Sequence, residues 1–188
     1  MSIQRSQISL QAPTFLDVLE AKSVVYKYIQ RTPLHFYASL SKILEAEVYL
    51  KHENHHALGA FKIRGGVNLL AHMSEEDRRR GVITASTGNH GQSIAYACKL
   101  FGTKAVIGMP EGANSLKVDS IRSLGGEVIF HGTVFEDACL YCEKEADEKG
   151  LYYSQPVNEP LLIAGVATET LETIEDLPDI DVIFVPVG

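Results

Sequence analysis

The chain has 188 residues, of which 45% are hydrophobic and 22% charged, and a formal net charge of −7. This is an ordinary globular composition for one or two domains. The negative charge, with no basic cluster beyond Arg78, Arg79 and Arg80, argues against nucleic acid or an anionic membrane as a partner. We expect a cytoplasmic protein, because no apolar run of 18 residues or signal-peptide pattern occurs and three cysteines suit a reducing compartment.

The first third of the chain has only weak secondary-structure patterns. Residues 1–13 show no regular pattern, so we expect them to be loose. A helix is predicted over residues 15–29, with Thr14 and Asp17 as a capping pair and Pro33 beyond its end. A short strand is predicted over residues 47–51 and a helix over residues 62–72.

From residue 81 onward the chain alternates between strand and helix. Strands are predicted at residues 82–86, 104–109, 127–130 and 181–187, and helices at residues 92–101, 115–124, 135–149 and 161–174. Alternation of this kind is typical of a parallel sheet covered by helices. The predicted fold class is therefore α/β.

Lys62 lies in the stretch LKHENHHALGAFKIRGG, among apolar neighbours such as Phe61. Burial would lower the pKa of this lysine and leave a fraction of its amine neutral, able to attack a carbonyl. The alternative is a lysine that buries its stem and keeps its ammonium in water. Gly59 is expected to turn the chain, and the pair Gly65 and Gly66 to leave room for a flat molecule near the backbone.

The second informative stretch, VITASTGNHGQSIAYA, begins at residue 82. It predicts a buried strand, a small polar turn and then a helix, a geometry that presents free backbone N–H groups to an anion. The alternative is an ordinary turn whose helix is capped by Ser or Asn. The turn at residues 86–91, called here the 86–91 turn, carries the side-chain donors Ser86, Thr87, Asn89 and His90.

GAFKIRGG and ASTGNHGQSIAYA together resemble the pyridoxal-phosphate enzymes of the tryptophan-synthase-β fold, and within them the threonine/serine dehydratase and serine racemase group. The resemblance runs from about Thr32 to Gly188. It implies pyridoxal 5′-phosphate as cofactor, no metal, an amino-acid substrate and a homo-oligomer, a dimer, in the complete form. It also implies two lobes, each a mainly parallel sheet covered by helices. Residues 1–80 and 155–188 would belong to a large lobe that is truncated here, and residues 81–154 to a small lobe.

The resemblance also assigns roles to individual residues. Lys62 would carry the cofactor as a Schiff base, with Phe61 beside it, and Asn89 would lie next to the phenolic oxygen of the cofactor. The side chains of the 86–91 turn would hold the substrate carboxylate: Ser86, Thr87, Asn89 and His90. Thr87 occupies the position of the catalytic serine of serine racemase.

The implied activity is dehydration and deamination of L-threonine or L-serine to 2-oxobutanoate or pyruvate and ammonia. A racemase, or another β-elimination enzyme of the same fold, remains an alternative. A catalytically silent protein is a further alternative. The apolar run at residues 181–187 has nothing after it in the sequence to cover it, and Gly188 matches only the first residue of the phosphate-binding loop. On this reading the chain is the N-terminal part of a longer enzyme, and we expect it to be inactive alone.

Two other clusters have weaker functional interpretations. His52, His55 and His56 suggest a metal site, but no cysteine or carboxylate spacing completes it. Cys139 and Cys142 form a C-x-x-C pair inside a predicted helix, without a second pair. We therefore expect neither cluster to hold a metal.

Overall fold

The structure is a computed structural model that describes residues 12–186. Its α-helices are α1 (Phe15–Val25), α2 (Ala38–Leu44), α3 (Ile63–His72), α4 (Glu75–Arg80), α5 (Asn89–Leu100), α6 (Ser115–Ser123), α7 (Phe135–Lys149) and α8 (Pro160–Asp176). Its strands are β1 (Leu34–Phe36), β2 (Tyr49–Lys51), β3 (Val82–Ala85), β4 (Ala105–Met109), β5 (Glu127–Phe130) and β6 (Tyr152–Tyr153). No helix in the described range is long and apolar enough to span a membrane.

A four-stranded parallel sheet, in the order β5-β4-β3-β6, forms the centre of the α/β fold. Strands β3 and β4 are buried along their whole length, so both faces of the sheet must be covered. Side chains alternate between the faces: Ile107 packs in the core formed with α5 and α6, whereas Val106 packs against α7. The α/β class and the parallel sheet predicted from the alternating pattern are confirmed.

Helix α3 crosses its two neighbours at glycines. A Cβ atom on Gly65 would lie 2.8 Å from the Leu162 carbonyl oxygen on α8, and one on Gly66 would lie 2.3 Å from Ser93 Oγ on α5. Both distances are too short for any side chain. The expectation that Gly65 and Gly66 leave room for a flat molecule is therefore wrong, because α8 and α5 fill that space. Gly59, with φ of 63°, does turn the chain as expected.

The predicted strand at residues 181–187 is wrong over its described part, because residues 181–186 form no strand. A strand needs a hydrogen-bonded neighbour, and no described strand pairs with this segment. Phe184 is 93% exposed there. The other pair of strands, β1 and β2, is antiparallel, so the described residues contain one parallel sheet. The division into lobes at residues 80/81 and 154/155 stays a prediction.

A buried ion network fastens α3 to α8. Arg64 is fully buried; its guanidinium donates to the Glu53 carboxylate at 2.7 and 2.8 Å and to the Glu172 carboxylate at 2.7 and 3.0 Å. Lys51 Nζ lies 2.6 Å from Glu172 Oε2, and Tyr26 donates its hydroxyl to the same carboxylate. Burial by itself would raise the pKa of both carboxyls. Hydrogen bonds from His56, Arg64 and Thr32 to Glu53, and from Arg64, Lys51 and Tyr26 to Glu172, together hold both pKa values below the ordinary value.

Replacing Arg64 with Met should lower the free energy of unfolding by about 3–5 kcal/mol, because two buried carboxylates lose their shared partner. Urea unfolding measures the change. The matched control is Arg79→Met on α4, where the arginine is exposed and its Nε donates only to the Glu75 carbonyl at 3.3 Å. Equal losses for the two variants would contradict a structural role for the Arg64 network.

Candidate active site at the lysine and the 86–91 turn

Lys62 lies just before the first residue of α3 and is partly exposed rather than buried. Its Nζ stands 4.6 Å from the centroid of the Phe61 ring, which is a cation–π distance. Of the two interpretations of its apolar sequence, full burial is wrong, because Lys62 is only partly covered although Ala60 before it and Ile63 after it lie in the core. Within residues 12–186 its amine makes no ion pair with a carboxylate. It is therefore accessible to an incoming carbonyl compound.

Ser93 joins the two sequence motifs. Its hydroxyl, on α5, donates to the carbonyl oxygen of Lys62 at 2.5 Å, and Gly66 packs against the same residue one turn into α3. The beginning of α3 and the first two turns of α5 are therefore held in direct contact. Sequence reasoning missed Ser93, because a serine within an alanine-rich helix gives no signal of its own.

Ser86 organises the 86–91 turn from within. Its side chain is buried, and its Oγ accepts hydrogen bonds from the N–H groups of Gly88 at 3.1 Å and Gly91 at 2.8 Å. These contacts occupy the lone pairs of the hydroxyl, so only its O–H remains to donate to a ligand. Ser86 N–H itself donates to the Gly108 carbonyl on β4 at 2.9 Å, which anchors the turn to the sheet.

Helix α5 begins at Asn89 with no side-chain cap at Gly88. The Ser86 hydroxyl caps the helix in its place by accepting from the Gly91 N–H at 2.8 Å, so the alternative of a serine-capped turn holds for that one donor. The N–H groups of Thr87, Asn89 and His90 donate to no acceptor in the described part of the chain. An open helix N-terminus of this kind favours an anion, through both the free donors and the helix dipole. Thr87 is exposed at this end of the helix.

The imidazole of His90 points inward, away from solvent, and is 9% exposed. Its Nε2 lies 3.0 Å from Thr84 Oγ1, which donates its single proton to the Ser154 carbonyl at 2.7 Å. Nε2 must therefore carry the proton of the ring. Burial, and secondly the charge of Lys62, lower the pKa of His90 to about 4. The ring is neutral at pH 7, and the free donor that His90 adds to the turn is its peptide N–H.

Asn89 is exposed at the mouth of the turn. Its Oδ1 accepts hydrogen bonds from Lys117 Nζ at 2.7 Å and from Gln92 Nε2 at 3.3 Å. Lys117 belongs to α6, so this helix contributes a positive charge to the site. Sequence reasoning did not single out Lys117, because its pairing with Asn89 depends on how α6 packs beside α5.

The remaining predicted positions lie elsewhere. Gly188 is outside the described residues. The rings of His52 and His55 stack at 4.9 Å, but no group of three metal-ligating side chains in residues 12–186 is arranged to hold a metal. Cys139 and Cys142 lie on α7 as free thiols, and Cys142 packs beneath Gly108 in the core.

Known proteins resemble this chain over most of its length. The family described as Pyridoxal-phosphate dependent enzyme matches residues 25–188. The L-threonine ammonia-lyase of Thermotoga maritima is 43% identical over 175 residues, which are 93% of this chain and 44% of that protein. The processed form of threonine deaminase isoform 2 from Solanum lycopersicum superposes with a TM-score of 0.86 at 34% identity, over 93% of this chain and 48% of the other. Maize serine racemase superposes with a TM-score of 0.87 at 32% identity, over 91% of this chain and 52% of the other.

The chain belongs to the family of pyridoxal-phosphate dependent enzymes. It spans about half the length of the relatives that it matches. The described residues fit two parts of the cofactor: an accessible amine without a carboxylate partner, Lys62, suits the aldehyde, and the carboxamide of Asn89 suits the ring oxygen. The expected first residue of the phosphate loop, Gly188, is outside the described range.

His90 should titrate with a midpoint of about 4 and stay neutral between pH 5.5 and 8, with its proton on Nε2. The ring ¹⁵N shifts in NMR measure both properties. Because the folded-state pKa lies below the ordinary 6.5, stability from this group is complete above pH 6.5 and is lost as the pH falls towards 4. Thr84→Val should remove the acceptor of the Nε2 proton, so that the neutral ring can carry its proton on either nitrogen. A midpoint near 6.5 in the unmodified protein would contradict the inward, desolvated placement.

Proposed function

We propose that the protein of which this chain forms part is a cytoplasmic threonine/serine ammonia-lyase that depends on pyridoxal 5′-phosphate. The observation that carries the proposal is the contact of Ser93 with Lys62, which brings an accessible amine beside an anion-binding turn. The identity of 43% to an L-threonine ammonia-lyase supports the choice of reaction. Three free cysteines support a reducing compartment.

Each element of the site has a task in this proposal. The Lys62 amine would hold the cofactor through its aldehyde, and it is the base that would accept the α-proton of the substrate. The free N–H groups of the turn and the Ser86 hydroxyl bind the substrate carboxylate, each charge-assisted hydrogen bond contributing about 1.5–3 kcal/mol. Asn89 would donate to the ring oxygen of the cofactor. When bound, pyridoxal 5′-phosphate supplies the electron sink for the carbanion.

Thr87 distinguishes the ammonia-lyase from a second candidate, a racemase. The match to maize serine racemase, with a TM-score of 0.87, favours keeping this candidate. Thr87 is exposed at the open end of α5, and the resemblance to serine racemase assigns its hydroxyl to proton exchange on the face of the substrate opposite Lys62. A racemase needs such a second acid/base, whereas an ammonia-lyase needs only the lysine.

Borohydride reduction of the protein mixed with pyridoxal 5′-phosphate should attach a pyridoxyl group to Lys62, because this accessible amine lies beside the 86–91 turn, which can hold the anionic cofactor in place. Peptide mapping by mass spectrometry locates the label. Lys62→Met should abolish the labelling, while Lys99→Met, an exposed lysine at the far end of α5, should leave it unchanged. A label found mainly on another lysine would overturn the assignment.

In the full-length protein, Thr87→Ala should reduce 2-oxobutanoate formation from L-threonine by less than about tenfold, because the proposed reaction needs no second acid/base on the other face. The same protein, mixed with L-serine, should form no D-serine. If D-serine does form, and its rate falls about 100-fold or more in Thr87→Ala but survives in Thr87→Ser, the racemase is the correct function.

A further inference from the structure

The carboxamide of Asn89 is held in one orientation by two neighbours. Lys117 Nζ, at 2.7 Å, is only a donor of hydrogen bonds. Gln92 also presents a donor, because its Oε1 already accepts from Ser120 Oγ at 2.8 Å, which leaves its Nε2 facing Asn89 at 3.3 Å. Two donors on one side require the oxygen of the Asn89 carboxamide to face them.

The opposite orientation would place the Asn89 amide nitrogen against two other N–H donors, which is repulsive. The Nδ2 of Asn89 therefore points away from Lys117 and Gln92, and it donates to no acceptor in the described part of the chain. A donor that is fixed in direction and has no partner is ready for an oxygen of a ligand.

Lys117 makes no ion pair with an acidic side chain in the described range, and its ammonium donates to the neutral carboxamide of Asn89 instead. Helix α6 begins beside the site with Asn114 as its cap, which leaves Lys117 at the end of the helix nearest the turn. Its hydrogen bond to Asn89 is charge-assisted and hence stronger than a neutral one.

We infer that Lys117 is a positioning residue that fixes the Asn89 carboxamide so that Nδ2 donates to the ring oxygen of pyridoxal 5′-phosphate. This inference rests on the proposed function for the identity of the ligand, but the orientation of Asn89 does not. Gln92 and Ser120 support the same orientation. Lys117 contributes the stronger hydrogen bond because its ammonium is charged.

The orientation is tested first without a ligand, by ¹⁵N relaxation of the Asn89 Nδ2–H₂ group. This group should be ordered in the unmodified protein and in Lys117→Arg, which keeps a charged donor. It should become mobile in Lys117→Met. The control Lys99→Met, on an exposed lysine of α5, should leave it ordered. An Asn89 carboxamide equally ordered in Lys117→Met would overturn the inference.

The ligand step is tested with 4-deoxypyridoxine 5′-phosphate, which keeps the ring oxygen and lacks the aldehyde that would react with Lys62. Lys117→Met should weaken its binding, measured by calorimetry, about tenfold, the size expected for one lost hydrogen bond. In an Asn89→Ala background the same substitution should have no further effect. A full tenfold loss in that background would show that Lys117 acts directly through its charge, and would overturn the inference.

The two steps separate this inference from the proposed function. If the full-length protein fails to bind the analogue and its Lys62 takes no pyridoxyl label, the proposed function is wrong. The relaxation result then still decides whether Lys117 orients Asn89.

Discussion

The crossing of α3 and α5 is the constraint on which the candidate site depends. Gly66 lets the two helices approach until Ser93 reaches the carbonyl oxygen of Lys62 at 2.5 Å. Any side chain at position 66 would collide with Ser93 and separate the lysine from the open end of α5. Lys62 and the 86–91 turn, which begins 24 residues later in the sequence, are thereby brought together, with an amine on one side and unpaired N–H donors on the other.

The site is supported by two polar systems of opposite character. On the buried side, Arg64 binds two carboxylates and holds α3 against α8, and Glu169 nearby has a pKa raised to about 7 by burial and by the charge of Glu53. On the sheet side, Thr84 turns the neutral ring of His90 inward. Both systems fix backbone positions, and they leave the flexible amine of Lys62 and the exposed carboxamide of Asn89 as the groups that meet a ligand.

Much of the fold could be predicted from the sequence, because strands buried on both faces and alternating with helices leave a strong pattern: the strand at residues 127–130 and the helix at residues 135–149 match β5 and α7 in full. The candidate lysine and turn were also recognisable from their motifs. What failed depends on partners distant in sequence. Gly65 and Gly66 have roles that are set by α8 and α5. The ring of His90 faces inward because of its contact with Thr84. Residues 181–186 form no strand because no described strand pairs with them.

The central claim is that Lys62 and the 86–91 turn form a single ligand site. A titration of the ¹⁵N-labelled protein with pyridoxal 5′-phosphate, followed through backbone amide shifts, tests it most directly. The account predicts that the amides of Phe61, Lys62 and Ile63 shift together with those of Thr87, Asn89 and His90, with one common affinity. Shifts confined to one of these segments, or concentrated in another part of the molecule, would contradict it.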